Sequence, residues 1–257
     1  FYVEEEKRGF YPEEDLFVPG RYEIDIKANS TKEFTIVCGL EENIEEIDGK
    51  VVIQKEKERI DKIVNASKLV DKKQSKSDQE KMRDLVIASD NFVTYRQKFS
   101  LHTIIAGFPW FLDWGRDTLI SFEGLLLKTK RFEIAKEVLL MMTKDIKYGL
   151  VPNGYSGYDS RPLYNSVDSS LLLIEAVSKY LEYTDDYDFV KNNLYMILKN
   201  IIESFQKGIN VDDSNIFMDK DGLISAGTPE TQLTWMDAKV GNFAVTPRNG
   251  KAVELNS

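Results

Sequence analysis

Cysteine and histidine are almost missing from this sequence of 257 residues. Cys38 is the one cysteine and His102 the one histidine. A single cysteine excludes an intrachain disulfide, and an intracellular, cytoplasmic setting is the expectation. A Ser-His-Asp triad or a His/Cys metal cage would have to be built on His102 alone, so neither is expected, and no metal or other cofactor is called for. His102 itself is read as structural or as a rim contact. No apolar run reaches the roughly 18 residues that a membrane helix needs. Positive charge is in short supply as well. Lysine and arginine total 34 against 43 acidic residues, a net charge of −9. That balance argues against a nucleic-acid partner and against an anionic membrane surface. No glycine-rich phosphate loop is present. "DKDG" (Asp219 to Gly222) resembles part of a calcium loop, but the spacing would need an acid at Phe217 and a glutamate at Thr228.

What is present is an ordinary globular composition, 42% hydrophobic and 30% charged. The sequence starts without Met and stops at "VELNS", which reads as a fragment cut at both ends. Its first part differs from the rest. "RYEIDIKA" alternates Tyr22, Ile24 and Ile26 with charged residues; "NST" is a turn signal; "EFTIVCG" alternates again. Period two on both sides of a turn predicts a small antiparallel β segment within residues 1–53, the end of a β-rich domain. Residues 54–76 are highly charged and predict a linker helix. From residue 77 onward the pattern is helical. "SDQE" reads as a capping box with Ser77 at the N-cap. Apolar residues at three-to-four spacing then predict helices over about 116–128, 131–147, 166–183 and 186–206. Consecutive helices without strands between them predict a mainly α fold, a helical hairpin toroid or a solenoid, and no fixed-period repeat supports the solenoid.

Two long loops, 149–170 and 212–251, are rich in Gly, Pro, Asn, Ser and aromatic residues. Loops of that size in a compact domain are usually functional. Four constellations stand out. In "FPWFLDWGRDTLISFEG", Trp110 and Trp114 surround Arg116 and Asp117 after Gly115. An aromatic platform beside a guanidinium and a carboxylate suits a sugar ring; a helix N-terminus with an Arg116–Asp117 pair is the plainer reading. In "TWMDAK", Asp237 stands two residues after Trp235. A carboxyl beside an indole loses hydration, which suits a general acid; a capping acid is the alternative. In "YNSVDSS", Asp168 is either a substrate-facing carboxylate or a first-turn acid. Arg248, Lys251 and Glu254 in "TPRNGKAVEL" either orient one another around a pocket or decorate a turn.

Taken in order, "WFLDWGRDTLI", "GLVPN", "YNSVDSS", "DGLISAG", "QLTWMDAKVG" and "VTPRNGKAVEL" resemble the amylo-α-1,6-glucosidase domain of glycogen debranching enzymes. The resemblance runs from about Ser77 to the last residue. It implies an (α/α)6 barrel, of which roughly half of the helices are present in residues 77–257, with a pocket at one end. It implies removal of an α-1,6-linked glucose from a branched α-glucan with inversion. Inversion needs two carboxyl groups roughly 6.5–9.5 Å apart. Asp237 falls on the family's general acid, and the general base is expected beyond residue 257, so that the fragment by itself is expected to be inactive. Substrate binding is implied for Trp110, Trp114, Arg116, Asp117, Asn165, Asp168, Trp235, Lys239, Arg248 and Glu254. The missing partners of Arg116 and Asp117 would then be sugar hydroxyls. The competing readings are another α/α-barrel glucosidase (glucoamylase- or trehalase-like), a carbohydrate-binding helical module without activity, and a protein-binding helical scaffold. The sequence leaves the oligomeric state open.

Overall fold

The structure, a computed structural model, describes residues 1–9, 11–39, 47–108, 111–155, 161–211 and 214–257. The chain divides into two compact units, Phe1–Gln54 and Lys55–Ser257.

The first unit holds a short helix α1 (Val3–Lys7) and the start of helix α2 (Gly49–Ser67), with extended chain between. The expected β hairpin is corrected here. Among the described residues of 11–39 none pairs in a strand. Tyr22, Ile26, Phe34 and Ile36 are exposed, and no described residue of this unit is buried. Only the turn forms: Ser30 Oγ donates to the Lys27 carbonyl at 2.7 Å, with Asn29 at φ 58°. The physical reason is coverage. A two-stranded ribbon is marginal unless another layer covers its apolar face, and this unit supplies none.

The second unit carries the core. Helix α3 (Lys76–Asp90) starts one turn signal earlier than the sequence suggests. Ser75, not Ser77, is the N-cap: its Oγ accepts from the Asp78 backbone N–H at 3.2 Å and donates to the Asp78 carboxylate at 2.8 Å. Asp78 at N3 thus takes the serine hydroxyl, where the glutamate of a capping box takes the backbone N–H of the N-cap residue. A hairpin of β1 (Val93–Arg96) and β2 (Leu101–Ile104) follows, in the antiparallel register Val93↔Ile104. No strand was expected between these helices. Helix α4 (Gly115–Phe122) runs on into one π-helical turn, Glu123–Leu127, where Lys128 N–H reaches the Glu123 carbonyl at 2.9 Å. Helix α5 (Phe132–Met142) is next, then a two-residue pair of β3 (Gly154–Tyr155) and β4 (Pro162–Leu163).

Helix α6 (Asp168–Thr184) is the long central helix. The single helix expected over 186–206 is two, α7 (Tyr187–Asn193) and α8 (Tyr195–Lys207). The break falls at Leu194, which is fully buried, directly after two asparagines. Asparagine competes for backbone hydrogen bonds and so weakens a helix, and here Asn193 Nδ2 donates to the Phe189 carbonyl at 2.9 Å. The last elements are β5 (Phe217–Met218) with β6 (Ile224–Ser225), β7 (Lys239–Val240) with β8 (Phe243–Ala244), and α9 (Val253–Asn256). The described residues are therefore mainly helical with short antiparallel pairs. The core is built where α4, α5 and α6 meet, with α5 also packed on β2; Leu119, Phe122, Leu126, Val138, Leu139, Leu173 and Val177 are all buried there. Among the described residues no helix is long and apolar enough to cross a membrane.

This packing brings the N-termini of α4 and α6 together, with the chain of 152–154 lying across them. Gly115 N–H donates to the Asn153 carbonyl at 2.6 Å. A Cβ at Gly115 would stand 2.7 Å from the Pro152 carbonyl oxygen and 3.1 Å from Ser169 Oγ. Close backbone approach is what this glycine supplies. Gly115→Ala is expected to push the 152–154 segment off α4 and lower stability by about 1–3 kcal/mol. Urea denaturation of both proteins measures it, and an unchanged midpoint would show that the approach is not needed.

Candidate active site

Arg116 and Asp117 begin the first turn of α4, yet they do not pair. Successive residues on a helix point about 100° apart, so neighbours do not face one another. Asp117 is exposed and has no ion-pair partner among the described residues; it borders a small hollow with Phe92 and Ile120. Arg116 turns the other way, into the protein. Its Nε–H donates to Asp168 Oδ2 at 2.5 Å and its Nη2 to Asp168 Oδ1 at 3.2 Å. Its Nη1 donates to Asp237 Oδ2 at 3.1 Å. One guanidinium thus joins residues 52 and 121 positions away in the sequence. Nε, Nη1 and Nη2 each already donate to a carboxylate, which leaves one further N–H on Nη1 and one on Nη2 for a sugar hydroxyl.

The three groups sit at different depths. The Asp168 side chain is 10% exposed and that of Arg116 12%, whereas Asp237 is 40% exposed. Asp168 is the buried anchor. Ser166, itself fully buried, donates its hydroxyl to Asp168 Oδ1, and Ser169 Oγ lies 2.9 Å from Ser166 Oγ. Burial works against the charge on Arg116, but hydrogen bonds and Coulomb attraction from Asp168 and then Asp237 outweigh it, and its pKa is raised. The group is a fixed cation.

Above this cluster opens a cleft of about 760 Å³. Its lining takes in Arg116, Asp168, Glu175, Glu254 and Trp235 beside the apolar Ile120, Leu171 and Leu172; Asp237 touches Arg116 but is not part of the lining. Trp235 is 55% exposed, which leaves it accessible to a ligand. Glu254 is held by Arg248: Nε and Nη2 each donate to one carboxylate oxygen at 2.5 Å. That bidentate contact, followed by charge attraction, lowers the Glu254 pKa although burial opposes it. The loop that supplies Trp235 is docked on the start of α6 by the bond from Val167 N–H to the Leu233 carbonyl at 2.9 Å.

Other expected site residues lie elsewhere. Trp110 falls outside the described residues. Trp114 caps α4 with its backbone and packs on the 152–154 segment, where a Cβ on Gly154 would meet its Cε3 at 3.0 Å; it does not line the cleft. Asn165 and Lys239 line a second cavity, whose lining has no residue in common with the cleft. His102 is tied to Glu137, whose Oε2 accepts from the His102 backbone N–H at 3.0 Å and lies 2.7 Å from Nδ1.

Asp113 was missed. It is 2% exposed and takes a two-pronged pair from Arg96, with Nε to Oδ2 at 2.8 Å. It braces the segment just before Arg116. Its signal was its place among the tryptophans; its partner sits on a hairpin that the helical pattern did not announce.

A family model described as Amylo-alpha-1,6-glucosidase matches residues 87–257. The glycogen debranching enzyme of Saccharomyces cerevisiae is 28% identical over 210 residues, covering 60% of this chain and 14% of that protein, so the chain spans a small part of the length of its relative. The match takes in every element that builds the cleft, from the end of α3 to α9. By that match the chain belongs to the amylo-α-1,6-glucosidase family.

Proposed function

We propose that this chain carries the glucose-binding and acid-donating side of a glycoside hydrolase that removes α-1,6-linked glucose at branch points of glycogen or a related α-glucan. The observation that carries it is the bridge from Arg116 to both Asp168 and Asp237 beneath a cleft walled by Trp235 and Glu254. In this reading the helices α3–α8 are part of an (α/α)6 barrel, and the enzyme works in the cytoplasm. The Trp235 ring receives the C–H face of a glucose residue. Glu254, fixed by Arg248, accepts hydroxyl hydrogen bonds. Asp237 is the general acid: Arg116 holds Oδ2, and Oδ1 carries the proton to the glycosidic oxygen as the C–O bond breaks. The positive charge on the fixed Arg116 then steadies the carboxylate left behind.

A second carboxylate must activate water on the opposite face of the sugar. The acids that line the cleft are Asp168, Glu175 and Glu254, and two of them are already engaged by an arginine. Asp168 is held by Arg116 and Ser166, and Glu254 by Arg248. No base is assigned among the described residues. That same fact favours, as the second reading, a glucan-binding role without chemistry for these residues acting alone.

Inversion gives the test. The full-length protein, incubated with a branched limit dextrin and followed by proton NMR, is expected to release β-glucose first, with the α anomer growing in by mutarotation. Initial release of α-glucose, or none at all, would overturn the assignment.

A further inference from the structure

Arg248, which holds Glu254 in the cleft, has a φ of 45°. A side-chain-bearing residue adopts that conformation only where its surroundings impose it. Here the surroundings are the β5–β6 hairpin, to which the stretch 248–256 is sewn at three places. At the first, Gly250 N–H donates to the Ala226 carbonyl at 2.8 Å and Ala226 N–H to the Gly250 carbonyl at 3.1 Å. At the second, Lys251 Nζ reaches Asp219 Oδ2 at 2.7 Å and Asp221 Oδ2 at 2.6 Å. These are the acids of "DKDG", so the cation of that turn is the chain's own lysine.

Asn256 makes the third tie. Its Oδ1 accepts from the Ile224 backbone N–H at 2.7 Å, and its Nδ2 donates to the Ile224 carbonyl at 3.0 Å. One side-chain amide thus satisfies both backbone groups of a β6 residue, as a neighbouring strand would. The same Nδ2 donates to the Ala252 carbonyl at 3.0 Å, just before α9. Lys251 is exposed, and exposed ion pairs are screened and hold loosely. The half-buried amide, bonded three times, is the stiffer tie.

Glu254 stands in α9 between these ties, two residues before Asn256. A helix of one turn has no cooperative stability of its own, so what anchors its ends decides where Glu254 points. Glu254 and Leu255 line the cleft; Asn256 does not. We infer that Asn256 is a positioning residue for glucan binding: it touches no sugar, and by holding α9 on β6 it aims the Glu254 carboxylate into the cleft before a sugar arrives. The inference rests on the reading of Glu254 as a hydroxyl acceptor and adds the residue that makes that acceptor rigid.

A double-mutant cycle in the full-length protein, read as maltose affinity by isothermal titration, tests this without requiring turnover. Glu254→Ala is expected to weaken maltose binding about tenfold and Asn256→Ala about fivefold. In a chain that already carries Glu254→Ala, adding Asn256→Ala is expected to change the affinity by less than about 1.5-fold, because no carboxylate is left to aim. A purely structural role would weaken binding by the same factor in both backgrounds and would overturn the inference. Unchanged affinity in either single variant would overturn it as well. Should Asn256→Ala not fold, Asn256→Asp runs the same cycle with the same expected outcome: it keeps an oxygen for the Ile224 N–H and gives up both donations. A failure of the wild type to hydrolyse limit dextrin, with this cycle intact, would count against the glucosidase reading and not against this one.

Discussion

Asp237→Asn is expected to lower kcat on a branched limit dextrin by about 10²–10⁴-fold while the affinity for glucose or maltose changes only a few-fold. The substitution is close to isosteric. The asparagine oxygen still accepts from Arg116 Nη1, where Asp237 Oδ2 now sits at 3.1 Å. The Trp235 loop therefore keeps its place, and ground-state binding with it. What is lost is the transferable proton. Without it the leaving oxygen departs as an alkoxide, and the cost falls on the transition state alone. Steady-state kinetics with the full-length protein, set beside a binding titration, separates the two effects. A kcat within tenfold of the wild type would remove Asp237 from the acid role. An affinity that collapses in step with kcat would make it a binding residue. A substrate with an activated leaving group, such as an aryl α-glucoside, needs little protonation and should recover much of the lost rate.

The second large effect is on stability. Asp168→Ala leaves Arg116 buried with its main counter-charge gone. Removing one partner of a buried ion pair costs about 3–5 kcal/mol, because the remaining charge stays desolvated. For a unit of this size that corresponds to a fall in Tm on the order of 10 °C. Ser166 also loses its acceptor, which adds to the penalty. Adding Arg116→Met to Asp168→Ala removes the orphaned charge, and the double variant is expected to be more stable than Asp168→Ala alone. Differential scanning calorimetry measures all three. A loss below about 1 kcal/mol in the single variant would mean that water reaches Arg116 and that the cluster is no buried anchor.

The chemistry of the site was legible at the level of residue type. "WGRDT", "NSVDSS" and "TWMD" each placed a charge beside aromatic or small residues, where a ligand-facing role and a helix-start role both fitted. The helices of the second unit were legible because their apolar stripes follow the 3.6-residue period, which local sequence dictates. The exact caps were less so. Ser75 and Ser77 both precede an acid by three residues, and which serine starts the helix depends on where the chain arrives from α2. The alternation at 21–39 was read as a hairpin because period two is a local signal, but a ladder also needs a covering layer, and that is not a property of the segment itself.

Sequence alone determined the ingredients: a mainly helical second unit, an acidic chain with one histidine and one cysteine, and a set of carboxylates and arginines beside tryptophans. Only the tertiary structure decided who pairs with whom. Arg116 takes Asp168 and Asp237 and not its neighbour Asp117, because a helix turns adjacent side chains apart while packing of α4 on α6 brings distant ones together. Asn165 and Lys239 line a separate hollow and not the cleft, although each stands within three residues of an acid that Arg116 holds. Spacing along a chain is read from sequence; the side on which a loop presents each residue is set by what the loop packs against.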